Sequence, residues 1–444
     1  MNRTTAHTAV TRRRLLRLAA ASATAGTLLP AAGPAGATPP SPLDALKQHA
    51  VPLADLDTLA RMTGSARLVG LGEAAHSGHE FFILKARLFR KLVAARGFTT
   101  FVLEASWSTG LRLDDYVAHG TGDPAQIMRE EFQGQYVFWN TEEYLDLVHW
   151  MRHYNLTHTD RPRLRFVGND LGYAGAHAYD LVHDWCAAHR PDLTASLDAL
   201  YAPLRPALGT EAGIWMGRQL AKDSATRQAE ADRADRALTL IRSCHRPDGQ
   251  AGLAHDLALR TATALTQTFT AYAIPDDRFA DRMRYRDQTM ADNTAWWLDH
   301  TRSKLLLASN NGHIAYTSDN PVEFPEPAGA FLRRRLGTDY VNIGLTFGAG
   351  RINALPDFTA TQPRTYTVPN ARSDHNEHTL NQVDHRDFAL DLRTAPSAAR
   401  TWSRTARPTR SYGLYWSDKH PRTALAHSYD IVAHLHRVKA GRLR

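Results

Sequence analysis

A chain of 444 residues with 43% hydrophobic and 22% charged residues is long enough to bury a large core, and its two cysteines exclude a disulfide-built scaffold. The formal net charge is +8, but five arginines and no acid precede residue 38. Without this stretch the net charge falls to about +3, which gives no support for nucleic-acid binding.

The N-terminus has the pattern of an export signal. Residues 11–17 are rich in arginine, residues 18–29 form an Ala-rich apolar run, and residues 35–37 are Ala-Gly-Ala, a small-residue cleavage pattern. This order is typical of a twin-arginine signal; the alternative is a basic amphipathic helix that stays on the protein. We expect a mature chain from about Thr38, secreted or extracytoplasmic, exported by the twin-arginine machinery. No later stretch approaches the roughly 18 apolar residues of a membrane helix, so we expect no stable membrane insertion.

Short apolar runs flanked by glycine or turn residues recur along the chain and are typical of strands buried on both faces. They lie at residues 66–71, 100–103, 164–167, 305–308 and 340–345. Between the first two, apolar residues keep helical spacing. This βαβ pattern predicts an α/β fold with a mostly parallel central sheet flanked by helices.

The middle of the chain changes character. Residues 224–243 and 254–271 have the composition of long helices, and they predict a helical lobe over about 190–300, inserted from the middle of the chain beside the sheet. Residues 358–422 are polar and turn-rich, and a final apolar run follows them. Length alone allows one domain or two; we expect a single domain over 38–440.

Polar side chains follow four of the predicted strands. Glu73 and His76 follow the first, Glu104 the second, Asp170 the third, and the pair Asn310 and His313 the fourth. In a parallel sheet the ligand crevice lies outside the carboxyl ends of the strands. Any one of these residues could be a helix cap or a solvated loop residue. Their coincidence at one edge favours a functional site.

Lys85 lies inside the apolar side of the helix that follows the first strand. It stands four residues after Phe81 and four before Phe89. Such a lysine either snorkels to the surface or points toward the site. In the second case it supplies a positive charge near Glu73 and Glu104.

The chain resembles the erythromycin esterase family. The likeness rests on an ordered set of blocks that covers most of the predicted mature chain. The blocks are Gly-Glu-Ala-Ala-His at 72–76, Phe-Val-Leu-Glu-Ala at 101–105, Trp-Asn-Thr-Glu-Glu at 139–143, Gly-Asn-Asp at 168–170, Arg-Asp-Gln-Thr-Met-Ala-Asp-Asn at 286–293, Asn-Gly-His at 311–313 and Gly-Leu-Thr-Phe-Gly-Ala-Gly at 344–350.

The resemblance implies hydrolysis of a small-molecule ester or lactone without a covalent serine or cysteine intermediate and without a cofactor. It implies that His76 is the general base that activates water, with Glu73 and Glu104 in support. A carboxylate beside a histidine fixes its tautomer and stabilises the imidazolium. We expect Lys85, Asn310 and His313 to bind the substrate carbonyl as its oxygen becomes negative, and Asp170 to belong to the same group of substrate- or oxyanion-binding residues. We expect Arg286, Asp287 and Asn293 to tie the helical lobe to the sheet.

Two positions depart from the family pattern. Lys85 stands where the family usually has arginine, which keeps the charge but loses the forked geometry. Asn310 stands where the family usually has a second histidine. Asparagine donates hydrogen bonds but does not shuttle protons, so the identity of the substrate stays open.

Three alternatives remain. A metal-dependent hydrolase would surround a divalent ion with His76, His79, Glu80, Glu104 and His313, but the order His-x-x-His-Glu at 76–80 is not the helical zinc motif. A serine hydrolase would use Ser77 or Ser108, but neither lies in a Gly-x-Ser-x-Gly elbow. A non-catalytic binding or accessory role in polysaccharide or secondary-metabolite handling is the third. Whether Cys186 and Cys244 form a disulfide or remain buried thiols is also open.

Overall fold

The computed structural model describes residues 40–357 and 359–444, so the predicted export signal lies outside the described residues. In these ranges the strands are β1 Val51–Pro52, β2 Leu68–Leu71, β3 Phe98–Ser106, β4 Arg165–Asp170, β5 Lys304–Ala308, β6 Tyr340–Ala354, β7 Arg364–Val368, β8 Asp387–Asp391, β9 Arg407–Pro408, β10 Arg422–Thr423 and β11 Ile431–Val438. Nine strands form one sheet in the order β1-β8-β11-β6-β2-β5-β3-β4, with β7 paired to β6.

Six consecutive strands of this sheet, from β11 to β4, are parallel to one another. Only the pairings of β1 with β8, β8 with β11 and β6 with β7 are antiparallel within the described part of this sheet. Leu71, at the end of β2, lies opposite both Ala308 of β5 and Ile343 of β6. The predicted α/β class with a mostly parallel sheet is confirmed, and the strand ends meet at one edge.

The helices are α1 Pro42–His49, α2 Leu56–Met62, α3 His79–Arg96, α4 Trp107–His119, α5 Pro124–Glu131, α6 Glu142–Thr157, α7 Ala176–His189, α8 Pro191–Tyr201, α9 Ala212–Leu220, α10 Ser224–Arg242, α11 Gly249–Ala273, α12 Phe279–Thr301, α13 Asn311–Ile314, α14 Ala328–Leu336, α15 Asn376–Leu380, α16 Ser397–Ser403 and α17 Leu425–Ser428. Three short 3₁₀ turns lie at Gly134–Trp139, Asp276–Arg278 and Gly337–Asp339.

The sheet separates two apolar cores. Alternate residues of β2 and β3 belong to different cores: Val69 and Phe101 face the core that contains α3 and α6, while Leu68 and Val102 face the core that contains α12 and α14. The strands are therefore buried on both faces, which explains why they read as continuous apolar runs.

The chain between β4 and β5 consists of α7 to α12, with the 3₁₀ turn before α12. Apolar side chains of α7, α8, α10 and α11 form a third core of their own. Cys186 and Cys244 are buried there as free thiols. Residues 40–444 form one compact unit.

The polar region after residue 358 contains more regular structure than its composition predicts. Besides β7, it contributes β8, which joins the main sheet antiparallel to β11. The apolar run of β8 is only Phe388, Ala389 and Leu390, between two aspartates. So short a run gives little periodic signal, and it is the neighbouring strand that makes it a strand.

None of the helices in residues 40–357 and 359–444 is long and apolar enough to cross a membrane.

Candidate active site

Close backbone approach brings three strand ends together. A Cβ on Gly72 would lie 2.1 Å from Asn311 Oδ1, so only glycine fits there. Asn311 donates its amide to Leu345 O at 2.7 Å and accepts from Leu345 N at 2.9 Å. Its own N–H donates to Glu73 O at 3.0 Å. This asparagine therefore locks the loop after β2 to the end of β5 and to β6.

Glu73, His76 and Lys85 form one buried chain of contacts. Glu73 Oε1 lies 2.9 Å from His76 Nδ1, and Glu73 Oε2 accepts from the Lys85 ammonium. Glu73 and Lys85 are both 0% exposed. Lys85 therefore points into the site and does not snorkel to the surface, because the buried carboxylate needs a cation beside it.

The ring of His76 is held by an aromatic wall. Trp139 packs edge-on against it with ring centroids 4.9 Å apart, and Phe138 stacks at 6.4 Å. The Trp139 indole donates to Glu104 O at 2.7 Å, which fixes the wall to the end of β3. His76 Nε2 has no hydrogen-bond partner among residues 40–357 and 359–444, and the side chain is 8% exposed.

Both carboxylate oxygens of Glu104 are bonded. Its Oε2 accepts from Ser309 Oγ at 2.6 Å and from Asn310 N at 2.9 Å. Its Oε1 accepts from Arg286 Nη2 at 2.9 Å and lies 3.2 Å from His313 Nε2. Burial alone would raise the pKa of Glu104, but the nearby cations outweigh it and hold the pKa well below its usual value.

His313 lies between two carboxylates. Its Nδ1 is 2.7 Å from Asp287 Oδ1, and its Nε2 faces Glu104. Burial would lower the pKa of His313, but Asp287 and Glu104 outweigh burial and raise the pKa to about 10. His313 is therefore a cation at neutral pH, and both ring nitrogens donate. Arg286 Nη1 lies 3.3 Å from His313 Nε2 but cannot accept a hydrogen bond from it. The two side chains instead share Glu104 as their acceptor.

Arg286 joins α12 to the ends of β3 and β4. Besides Glu104, it binds Asp170 with Nε at 3.0 Å and Nη2 at 2.6 Å. Asp170 also accepts from Tyr136 OH at 3.0 Å and is 1% exposed. The geometry makes Asp170 the anchor of Arg286 beneath the site.

The side-chain amide of Asn310 uses its oxygen but not its nitrogen in hydrogen bonds within the described structure. Its Oδ1 caps α13 by accepting from Gly312 N at 2.8 Å. Its Nδ2 is buried and has no hydrogen-bond partner within the described structure. A buried amide with free N–H groups beside a histidine cation is a ready donor for an oxygen of a bound molecule.

The structure brings the predicted residues Glu73, His76, Lys85, Glu104, Asp170, Asn310 and His313 to one edge of the sheet. The sequence did not point to Ser309 as a site residue. It predicted for Arg286 and Asp287 only a structural role, connecting the helical lobe to the sheet. Both residues of α12 do make that connection, but they make it through Glu104 and His313. Their presence in one family block was the available signal.

Two residues of the metal alternative, His79 and Glu80, bind elsewhere. His79 Nδ1 lies 2.5 Å from Glu143 Oε1, and Glu80 accepts from Lys439 N, away from Glu104 and His313. In the described ranges, no group of three or more His, Cys, Asp or Glu side chains is arranged to hold a metal ion.

The two candidate serines are engaged elsewhere. Ser77 Oγ accepts from the Asn353 amide at 2.9 Å, and Ser108 Oγ donates to Tyr173 O at 2.9 Å. Neither hydroxyl is within hydrogen-bond distance of a histidine in the described chain.

The profile of the erythromycin esterase family matches residues 93–438. The match includes Glu104, Arg286, Asn310 and His313 and begins after His76. Erythromycin esterase type II of Escherichia coli is 25% identical, over 78% of this chain and 87% of that protein.

Solved structures show the same fold. A Bacillus cereus protein has a TM-score of 0.81 at 26% identity, covering 91% of this chain and 98% of that one. A succinoglycan biosynthesis protein has a TM-score of 0.80 with the same identity and coverage. A mutant of the erythromycin esterase EreC in its open conformation has a TM-score of 0.64 at 19% identity, covering 89% and 97%.

The profile match spans well over half of the chain, and the curated relative and the folds agree with it. At the level of the family, these likenesses support a hydrolase of the ester or lactone type. The chain belongs to the erythromycin esterase family.

Proposed function

We propose that this protein hydrolyses an ester or lactone with water activated by His76. The observation that carries the proposal is the chain Lys85–Glu73–His76, which leaves only Nε2 of the imidazole open. An ionised carboxylate accepts hydrogen bonds only, so Glu73 holds the proton on Nδ1. The lone pair of Nε2 is then available as a general base.

The reaction is a direct attack by water. Water is deprotonated by His76 Nε2 as its oxygen bonds to the substrate carbonyl carbon, and the carbonyl becomes a tetrahedral oxyanion. Collapse breaks the bond to the ester oxygen, and the His76 imidazolium returns the proton to that leaving oxygen. The products are a carboxylic acid and an alcohol, joined in one molecule when the substrate is a lactone.

The oxyanion has suitable donors nearby. The free Nδ2 of Asn310 supplies N–H groups, and the positive charge of His313 stabilises negative charge at the same edge. Preorganised donors of this kind contribute roughly 3–4 kcal/mol each when water is excluded. Lys85 is fully buried against Glu73, so its contribution is to keep that carboxylate charged beneath His76.

The serine and cysteine candidates for a covalent intermediate are engaged or buried away from His76. The hydroxyls of Ser77 and Ser108 bind elsewhere, and both cysteines lie in the helical core between β4 and β5. Burial also raises the pKa of both thiols, which disfavours the thiolate.

A binding or accessory role in polysaccharide handling is the second candidate. It is favoured by the likeness to a succinoglycan biosynthesis protein and by Asn310, which cannot shuttle a proton. In this role the same site binds an ester-bearing molecule without turning it over.

The first experiment is hydrolysis of a panel of macrolides, simple lactones and acyl or aryl esters by the purified protein, with and without a chelator. His76→Ala is compared with His153→Ala, an exposed histidine of α6. We expect an ester to be cleaved by wild type and by His153→Ala, to be left intact by His76→Ala, and to be unaffected by the chelator. Inhibition by the chelator would favour the metal alternative, and binding without cleavage would favour the accessory role.

We also propose that the protein acts outside the cytoplasm after twin-arginine export. The support is the arginine cluster at residues 11–17 with the apolar run that follows it. Replacing Arg12, Arg13 and Arg14 by lysine should leave the protein unprocessed in the cytoplasm of a twin-arginine-competent host. Export of this variant at the wild-type level would contradict the proposal.

A further inference from the structure

The segment 439–444, here called the tail, leaves β11 and crosses the loop that carries His76. Ala440 forms an antiparallel bridge with Gly78. Gly441 N donates to Ser77 O at 3.3 Å. The tail is therefore paired, backbone to backbone, with the two residues that follow the candidate base.

The tail also caps helix α3. The N-cap of this helix is Gly78, which offers no side chain to the open N–H groups. His79 N donates to Lys439 O at 2.8 Å, and Glu80 accepts from Lys439 N at 2.6 Å. The start of α3 thus depends on a residue more than 350 positions away in sequence.

The other end of the tail binds the turn before α6. Leu443 forms an antiparallel bridge with Thr141, and Glu142 N donates to Arg442 O at 3.0 Å. Arg442 N in turn donates to the Glu143 carboxylate at 3.2 Å. This turn directly follows Trp139, which packs on the His76 ring.

The fit of the tail leaves little freedom. A Cβ on Gly441 would lie 3.0 Å from Phe82 Cε2 and 3.0 Å from Ser77 Oγ. Asn353 of β6 donates to both Ser77 Oγ and Gly441 O at 2.9 Å. The His76 loop is thus bound on one side by the tail and on the other by β6.

We infer that the tail is a positioning element of the active site. It holds the loop that carries His76, residues 72–78, at a fixed distance from the turn that follows Trp139, residues 140–141. The inference rests on the proposed role of His76. Displacing a reacting group by about 1 Å can cost roughly a hundredfold in rate, so loss of the tail should act on kcat more than on KM.

The test compares a variant that ends at Val438, and so lacks the whole tail, with Leu443→Ala, which removes a part-exposed side chain and keeps the backbone pairing. We expect the truncation to lower kcat about 10- to 100-fold with KM within about threefold, and Leu443→Ala to match wild type. Gly441→Val should resemble the truncation because its side chain has no room. A peptide of residues 439–444 added to the truncated protein should restore part of kcat, and a scrambled peptide should not.

Hydrogen exchange gives a readout that does not depend on turnover. In the truncated protein the amides of residues 76–82 and 140–144 should exchange faster, while those of β3 and β5 stay protected. An unchanged kcat together with unchanged exchange would overturn the inference, and so would faster exchange throughout the sheet, which would make the tail a general stability element. If wild type cleaves no ester, exchange still decides whether the tail positions the loop.

Discussion

The site contains two histidine–carboxylate pairs whose surroundings differ. His76 faces one carboxylate, Glu73, and that carboxylate is already paired with Lys85. His313 faces two carboxylates, one on each ring nitrogen. The first histidine keeps an open nitrogen, whereas the second has none.

The difference shows how one side-chain type serves opposite purposes. The two anions around His313 raise its pKa to about 10, so it carries a positive charge throughout the neutral range. A lysine instead holds the charge of Glu73, which leaves His76 free to accept a proton. In the proposed mechanism, the number of carboxylates not yet neutralised by another cation decides which histidine can act as the base and which is a fixed cation.

Exchanging each histidine for alanine should separate the two roles most strongly. His76→Ala should lower kcat about 10²- to 10⁴-fold and change the free energy of unfolding by only about 1 kcal/mol, because the ring makes a single hydrogen bond. His313→Ala should instead destabilise the fold by about 3 kcal/mol, because Asp287 and Glu104 lose a shared cation. The measurements are steady-state kinetics and urea unfolding, and equal losses of stability would contradict the division.

The role of Lys85 can be tested against a surface lysine of the same helix. Lys85→Met leaves Glu73 buried without its cation and should cost about 3 kcal/mol of stability, with loss of activity. Lys91 pairs with Asp57, whose side chain is 60% exposed, so Lys91→Met should cost under about 1 kcal/mol. Urea unfolding of both variants provides the check; a Lys85→Met protein as stable as Lys91→Met would show that Glu73 is not held as a buried anion.

Most of the sheet could be predicted because strands buried on both faces, such as β2 and β5, are continuous apolar runs. β8 could not, because its three apolar residues carry no period of their own. Glu73 and His76 could be found together because they lie three residues apart after one strand. Their partner Lys85 could be located in the helix, but its direction depends on packing.

The partners of His313 and Glu104 were beyond the sequence. Arg286 lies 182 positions from Glu104, and no local pattern encodes a contact over that separation. The sequence placed Arg286 and Asp287 at the joint between helices and sheet. Only the tertiary structure shows that Arg286 and Asp287 make this connection by binding charged residues of the site.

Because His313 is charged in the folded state, the free energy of unfolding should fall as the pH rises in the alkaline range. Because the folded-state pKa of about 10 lies above the unfolded value near 6.5, its contribution is fully present below about pH 6.5 and is lost as pH rises through about 10. Wild type should therefore lose about 3 to 4 kcal/mol more than His313→Gln between pH 7 and pH 10. Parallel denaturant titrations at several pH values measure the difference; identical slopes for the two proteins would mean that His313 is neutral.

The smallest effect is expected at Asn310. Asn310→Asp keeps the oxygen that caps α13 and removes the free N–H groups, so kcat should fall about tenfold, and Tm should fall as well because a carboxylate replaces a buried neutral amide. Asn310→Ala loses the cap as well and should cost about 1 kcal/mol of stability. Full kcat in Asn310→Asp would remove Asn310 from the proposed oxyanion site.

The most direct test of the contrast between the two histidines is the number of protons on the His313 ring. Imidazole ¹⁵N–¹H correlation spectra of ¹⁵N-histidine-labelled protein at pH 8.5, with His313→Gln for assignment, measure this number. We expect protons on both Nδ1 and Nε2, as a pKa of about 10 requires. A single proton on His313 at this pH would contradict the account, because His313 would then be neutral and could not stabilise negative charge near Asn310.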